Sequence, residues 1–443
     1  MDKAGVQSAS FKTFDSVRDA RKRIAKLCEI DDSQRINDFP VVVVILSSSR
    51  GGSSALFSAL RATKVFWCLP GEHVYLYKLH GFGLPDDPLA HDGSIGPGAD
   101  LDGLLSALAT ECTGPISGVL TANLVAYHFV SRLLAQWPML ADDPDLVLEA
   151  ARRQVYRQGS CHDPVALLMA IIRELRDIGY AVDPWYYDLP ANVISRWFPA
   201  EPEPVGPPSA GFTLVEEPPF LVPRAFPARP ALASSQRRPL LLKASLDVYR
   251  INLIRRLFPA SELRFVHLTR NPAASINGLM DGWLSRGFFS HQIDRNYAMN
   301  IEGYSHLPWG QGWWNFDLPP QWYANTATSL PRVCSFQWRQ AHQHILAAKA
   351  EGAGTWLQVR AEDLHVSSGR QRALVHRVMK FAGVDSPMAS EVGELPVVMA
   401  TAPPRPGRWR ANAERIAAAI EEEETQDVAG ALGYGSRPTL EWL

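Results

Sequence analysis

The run VVVVIL, Val41 to Leu46, is apolar without alternation and rich in β-branched residues. That pattern predicts a strand buried on both faces of a parallel sheet. SSSRGGSS follows at once, and then ALFSALRA, which carries a helical period. A second short apolar segment, Val65 to Leu69, runs into Pro70-Gly71-Glu72-His73. Strand and helix signals alternate again further on: LLLKA, VYRINLIRRLF, LRFVHLT, PAASINGLMDGW with proline in its first turn, SFQWRQAHQHILAAKA, TWLQV and RQRALVHRVMKFAG. Between these two regions, from about Leu101 to Trp197, the periodicity is almost wholly helical, and Asp15 to Ile30 reads as a basic amphipathic helix with Val17, Ile24 and Leu27 on one side.

The pattern predicts an α/β fold, a parallel sheet flanked by helices with a helical insertion. The expected boundaries are an N-terminal helix in 1–35, an α/β core in 36–89 and 199–443, and an insertion in 90–198. Ten prolines between Pro199 and Pro230 exclude helix and central strand there, while Phe212, Leu214, Phe220 and Phe226 call for burial. Residues 285–328, with GYSHLPWGQGWWNFDLPPQW, read as an ordered, aromatic-rich lid or pocket wall. The glutamates Glu421 to Glu424 read as a solvated helix face.

Composition narrows the classes. A 46% hydrophobic content over 443 residues is enough for a sizeable core and excludes a mostly disordered chain. Lys plus Arg is 44 against 46 for Asp plus Glu, which speaks against a general nucleic-acid binder while leaving room for a local basic pocket. The five cysteines (28, 68, 112, 161 and 334) are scattered without a CxxC pair, as in a reduced cytoplasmic protein rather than a disulfide framework or structural zinc site. The first residues contain no apolar signal region, and no stretch has the length and hydropathy of a membrane span.

Two turns carry chemistry. SSSRGGSS supplies the hydroxyls of Ser47, Ser48, Ser49, Ser53 and Ser54, two glycines that admit close backbone approach, and the cation Arg50, all ahead of a helix N-terminus. This combination suits a tetrahedral oxyanion. It is neither a Walker A loop, which needs a lysine before its final hydroxyl, nor a GxSxG elbow. HLTRNPAAS offers a second anion site, with Arg270 at a strand's carboxyl end and Ser275 in the first turns of the next helix. A third basic element, RPGRWR (Arg405 to Arg410), can close over the same ligand. Taken singly, each turn has the plainer reading of an ordinary βα loop or surface ion pair.

Together, SSSRGGSS, RFVHLTRNP, VRAEDL and GRWR resemble the sulfotransferase superfamily, whose members use 3′-phosphoadenosine 5′-phosphosulfate (PAPS) as sulfuryl donor and release adenosine 3′,5′-bisphosphate (PAP). The resemblance is strongest over Val41 to Glu72 and Leu240 to Trp283, looser from Ser335 to Arg410, and EEPPFLVP, GLMDGW and WWNFDLPPQW are more like bacterial members than animal cytosolic ones. It implies a P-loop-like sulfotransferase fold in which Arg50, Gly51, Gly52, Ser53 and Ser54 grip the 5′-phosphosulfate and Arg270 binds the 3′-phosphate. The family's serine eight residues beyond that arginine is Gly278 here, so Ser275 or helix N–H groups are the substitutes. The basic pair that the family places before the glycine of its last loop is Ala402 and Pro403 here, which leaves Arg405, Arg408 or Arg410, around Gly407, to compensate.

For catalysis, Glu72 matches the glutamate that deprotonates the acceptor in some branches, and a placed carboxylate can take a hydroxyl's proton during attack. His73 beside it is the alternative base, and a surface or N-capping acid is the bland reading of Glu72. Lys243 matches a family lysine near the transferred group, where a cation stabilises charge on the leaving oxygen; otherwise it is a strand-end surface lysine. His267 reads as a buried core histidine, and His342 and His344 face different ways, so no metal site follows.

The expected function is PAPS-dependent sulfation of a hydroxyl on a small-molecule or carrier-bound acceptor, without nucleic acid or integral membrane. Trp309, Trp313, Trp314 and Trp322 with Phe288, Phe289, Tyr304 and Phe316 point to an acceptor with an apolar part, unless they build a core beneath a rigid loop. The rivals are a P-loop-like ATP-dependent kinase and a catalytically inactive nucleotide-binding scaffold.

Overall fold

The structure, a computed structural model, describes residues 3–30, 39–69, 71–83, 89–96, 98–112, 121–159, 163–199, 202–204, 206–208, 214–224, 238–293, 298–384, 399–402 and 405–435. Pro70, Phe212, Phe226 and Pro403 lie outside them. In chain order the elements are α1 (Lys3–Leu27), β1 (Val41–Leu46), α2 (Ser53–Ala62), β2 (Trp67–Cys68), α3 (Val74–Leu79), α4 (Leu101–Cys112), α5 (Ala122–Gln136), α6 (Pro144–Gln158), α7 (Pro164–Asp177) and α8 (Ala191–Trp197). Then follow β3 (Leu240–Lys243), α9 (Ile251–Leu257), β4 (Glu262–Thr269), α10 (Pro272–Trp283), β5 (His291–Gln292), β6 (Trp313–Trp314), α11 (Leu330–Ala350), β7 (Thr355–Arg360), α12 (Ser368–Phe381), α13 (Ala413–Ile420) and α14 (Glu423–Ala431).

The chain divides into two compact units. One holds the sheet and comprises Asn37–Glu72, Gly83–Ile95 and Arg237–Leu443. Its main sheet has five strands, all parallel, in the order β2-β3-β1-β4-β7, and β5 and β6 form a separate antiparallel pair. The unalternating VVVVIL is the central strand, with Val44 in register between Leu242 and Phe265 and every residue from Val42 to Leu46 buried. Helices cover the sheet: α2 and α12 pack with β1, β4 and β7 through Leu56, Leu60, Val266, Val359 and Val378. The fold is therefore α/β with a parallel sheet flanked by helices. β1 lies between β3 and β4, so the chain reverses direction across the sheet there, the place beside whose strand ends open α/β sheets bind ligands.

Two local features set the helices that matter most. Gly52, at φ 93°, caps α2 without a side-chain hydrogen bond. Asn271 caps α10 conventionally, its Oδ1 accepting from Ala274 N at 2.7 Å, with Pro272 in the first turn.

The aromatic stretch forms a core. Trp314 is fully buried and meets Trp283 and Trp322 edge-on at 5.2 and 5.7 Å. The indole N–H groups are satisfied inside, Trp283 by Gln337 Oε1, Trp314 by the Asp317 carbonyl and Trp322 by the Ala90 carbonyl. Gly310 fixes the turn, since a Cβ there would stand 2.3 Å from the Tyr304 carbonyl.

The other unit, Met1–Ile36, His73–Phe82 and Gly96–Gln236, is helical. Its centre is charged: buried Arg21 pairs with buried Glu111, half-buried Arg132 pairs with buried Glu216, and both guanidinium groups face the ring of Tyr75. Burial pushes the Tyr75 hydroxyl's pKa well up. No helix among the described residues is long and apolar enough to cross a membrane.

Candidate active site

The candidate residues gather at the carboxyl edge of the sheet, in the β1–α2, β3, β4–α10 and post-β2 segments. In the first turn the hydroxyls of Ser47, Ser48 and Ser49 are buried without a hydrogen-bond partner. Gly51 is obligatory in its place, because a Cβ would fall 2.0 Å from Ser47 Oγ and 2.7 Å from the Ser48 carbonyl. A buried set of unpartnered hydroxyls, a backbone that admits no side chain and an uncapped helix start form a cradle whose donors suit an anionic oxygen group.

Arg50 has left-handed backbone, φ 60°, which a residue with a Cβ adopts at a cost of roughly 1 kcal/mol. Its guanidinium donates to the carbonyls of Gly278 (3.3 Å) and Met399 and to Thr401 Oγ1 (3.4 Å), and sits 5.2 Å from the ring centre of Phe288. Arg50 thus clamps residues 399–401 and α10 onto the turn. Phe288 is the member of the aromatic group that reaches this loop.

Arg270 donates from Nη1 to the main-chain carbonyl of Arg50 at 2.9 Å. Burial lowers its pKa, the Glu362 carboxylate raises it, and the nearby Arg408 lowers it. Two arginines therefore approach one another at this end of the site, a juxtaposition that an anion relieves. Arg408 is the member of the C-terminal set that turns inward, held by Asp281, while Arg405 and Arg410 are exposed. Gly407, at φ 64°, makes the turn that aims it. Asn412 Nδ2 donates to Asn277 Oδ1 at 2.7 Å, fastening the same segment to α10.

Gly278 lies between the two arginines: a Cβ there would be 3.5 Å from Arg50 Cβ and 3.8 Å from Arg270 Nη1. Ser275 is fully buried and its hydroxyl has no hydrogen-bond partner.

At the other end, Lys243 Nζ donates to Ser54 Oγ at 2.9 Å and forms an ion pair with Glu72 Oε1. Glu72 Oε2 accepts more distantly from Ser245 N and Oγ, at 3.4 and 3.5 Å. The end of β3, the first turn of α2 and Glu72 in the segment after β2 meet in one contact. His73 is 2% exposed, with its Nε2 3.2 Å from the Tyr77 hydroxyl.

His267 Nε2 sits 2.9 Å from His342 Nδ1 in the core, and burial pushes His267 down to about 3, so it is neutral near pH 7. Glu362, which the motif VRAEDL contains, takes a clear position here: Oε1 accepts from Asn271 N and Nδ2 at 2.9 and 3.0 Å, and Oε2 from the Tyr434 hydroxyl at 3.1 Å. It fixes the turn that carries Arg270.

The chain is similar to a solved structure of the sulfotransferase domain from the curacin biosynthetic pathway, with 13% identity and a TM-score of 0.34 over 90% of this chain and 99% of that one. No family model matches the chain, and no curated protein matches it.

Proposed function

We propose that the chain is a cytoplasmic sulfotransferase that moves a sulfuryl group from PAPS to a hydroxyl of a partly apolar small-molecule or carrier-bound acceptor. The observation that carries this reading is the contact of Lys243 with both Ser54 and Glu72. It joins a cation, the anion-cradling helix start and a carboxylate in one place.

The nucleotide, when bound, supplies a sulfuryl group on a phosphate leaving group. The turn Arg50 to Ser54 holds its 5′ end with backbone N–H groups and hydroxyls, and Arg270 with Arg408 and Ser275 holds the 3′-phosphate. Glu72 takes the proton of the acceptor hydroxyl as the new S–O bond forms. Lys243, already between Ser54 and Glu72, neutralises charge on the bridging oxygen as the old S–O bond breaks. Fixed cations and preorganised donors of this kind act without reorganisation at the moment of reaction.

An ATP-dependent kinase is less well supported, because Ser53 stands where a Walker loop needs lysine. Calorimetric titration with PAP and with ATP separates the two: PAP should bind tightly and ATP weakly. Labelled sulfate transfer then distinguishes an enzyme from an inactive scaffold. Tight ATP binding without affinity for PAP would overturn the reading.

A further inference from the structure

The turn after α14 docks on the sheet beside Arg270 and takes no part in the proposed reaction. Leu432 ends α14, and Tyr434 N returns to the Ala429 carbonyl at 2.9 Å around Gly433, whose φ is 81°. The helix is itself fastened to α11: the hydroxyls of Thr425 and Ser335 lie 2.7 Å apart, and Arg339 pairs with Glu422 and Glu424 at 3.1 and 2.8 Å. Tyr434 therefore projects from a fixed support, and it is 4% exposed.

Its partners lie on two adjacent strands. Thr269 of β4 stands in register with Arg360 of β7, and His267 with Gln358. Gln358 Nε2 donates to the Leu432 carbonyl at 2.9 Å and Arg360 Nη2 to the Gly433 carbonyl at 2.5 Å. The Arg360 guanidinium also lies 4.8 Å from the centre of the Tyr434 ring. The Tyr434 hydroxyl is 3.2 Å from Thr269 Oγ1 and donates to Glu362 Oε2 at 3.1 Å. Glu362 Oε1 in turn accepts from Asn271 N and Nδ2 at 2.9 and 3.0 Å. Thr269 and Asn271 are the residues on either side of Arg270. One phenol thus reaches both flanks of that arginine, one directly and the other through a single carboxylate.

We propose that Tyr434 is a positioning residue for recognition of the donor's 3′-phosphate, holding the β4–α10 turn in the conformation that presents Arg270. The proposal rests on the sulfotransferase reading given above. A guanidinium whose turn is already fixed on both sides loses little freedom when it meets an anion, whereas one that must first be ordered binds more weakly. The hydroxyl also keeps Glu362 Oε2 engaged. Without that donor the carboxylate is left with an unfilled oxygen beside a cation, and it competes with the phosphate for Arg270.

The test is calorimetric binding of PAP and of adenosine 5′-phosphate, which lacks the 3′ group, to the full chain and its variants. Tyr434→Phe keeps the ring on Arg360 and removes the hydroxyl. Its Kd for PAP should rise about five- to tenfold, the range of one net hydrogen bond, and its Kd for adenosine 5′-phosphate less than about twofold. Arg360→Gln, at an exposed position, frees the Gly433 carbonyl and the ring without opening the core, and should weaken PAP binding with the same selectivity. Tyr434→Phe combined with Glu362→Gln should lose less than the product of the two single effects, because the hydroxyl acts through that carboxylate. Unchanged PAP affinity in Tyr434→Phe, an equal loss for both nucleotides, or full additivity with Glu362→Gln overturns the assignment while leaving the sulfotransferase reading intact. Absence of PAP binding by the wild type would instead remove that reading, and this one with it.

Discussion

Arg270 reaches back across the β1–β4 pair to donate from Nη1 to the main-chain carbonyl of Arg50 at 2.9 Å. The residue proposed for one end of the donor thus also sets the backbone of the turn proposed for the other. Loss of the Arg270 side chain should act twice, removing an anion partner and releasing a left-handed residue. Arg270→Ala should weaken PAP binding by roughly 1.5–3 kcal/mol, the range for charged hydrogen bonds. Arg50→Ala should weaken it too, and Arg408→Ala should do so while Arg405→Ala, at an exposed position, should not. Calorimetry on the four variants checks the order.

Glu72→Gln should spare PAP binding and lower turnover on the order of 100-fold, the effect expected for a lost general base. The substitution also strips the ion-pair partner from Lys243, which is 5% exposed, so thermal stability should fall. His73→Asn should keep turnover, since its ring is engaged with the Tyr77 hydroxyl. Comparing sulfate-transfer rates with donor affinity for the two variants decides between the neighbours. Wild-type turnover in Glu72→Gln would return the role to His73.

Gly278 supplies a gain-of-function experiment. The space beside it is ordinary for a Cβ, at 3.5 and 3.8 Å from the nearest neighbours, and the position is inside α10, where glycine is a weak helix former. Gly278→Ser should fold at least as well as wild type and place a hydroxyl between Arg50 and Arg270. PAP should bind more tightly by about 0.5–1.5 kcal/mol, the net value of one hydrogen bond. Unchanged affinity would show that the 3′-phosphate does not lie beside this residue.

The sheet was readable because its central strand is buried on both faces and shows it in six consecutive apolar residues. The turn after it was readable as a tight strand-to-helix connection of small residues, and Gly51 admits no other residue. The base candidates could not be separated by sequence, since Glu72 and His73 are adjacent and only the packing shows which meets Lys243. The tryptophans were open in another way. An aromatic-rich loop has the same composition whether its rings line a pocket or one another, and here Trp283, Trp314 and Trp322 pack edge-to-face in a core. Asp317 left no local signal, because its hydrogen-bond partner Tyr249 and the neighbouring carboxylate Asp92 are distant in sequence.

The burial of Asp317 has a consequence for folding that needs no ligand. An unfolded aspartate titrates near 4, whereas Asp317 in the fold is raised to about 7. Between these values the native chain holds more protons than the unfolded one, so stability declines as pH rises through the window and levels off above it. Below about pH 4 the group is protonated in both states and its contribution is fully present. Asp317→Asn removes the ionisable group but keeps an acceptor for Tyr249. Its apparent Tm should therefore match wild type near pH 4 and exceed it by a few degrees near pH 8. Thermal unfolding of both proteins across pH 4–8 reads the difference directly. A gap that stays constant with pH would mean that the Asp317 carboxyl does not titrate within that window.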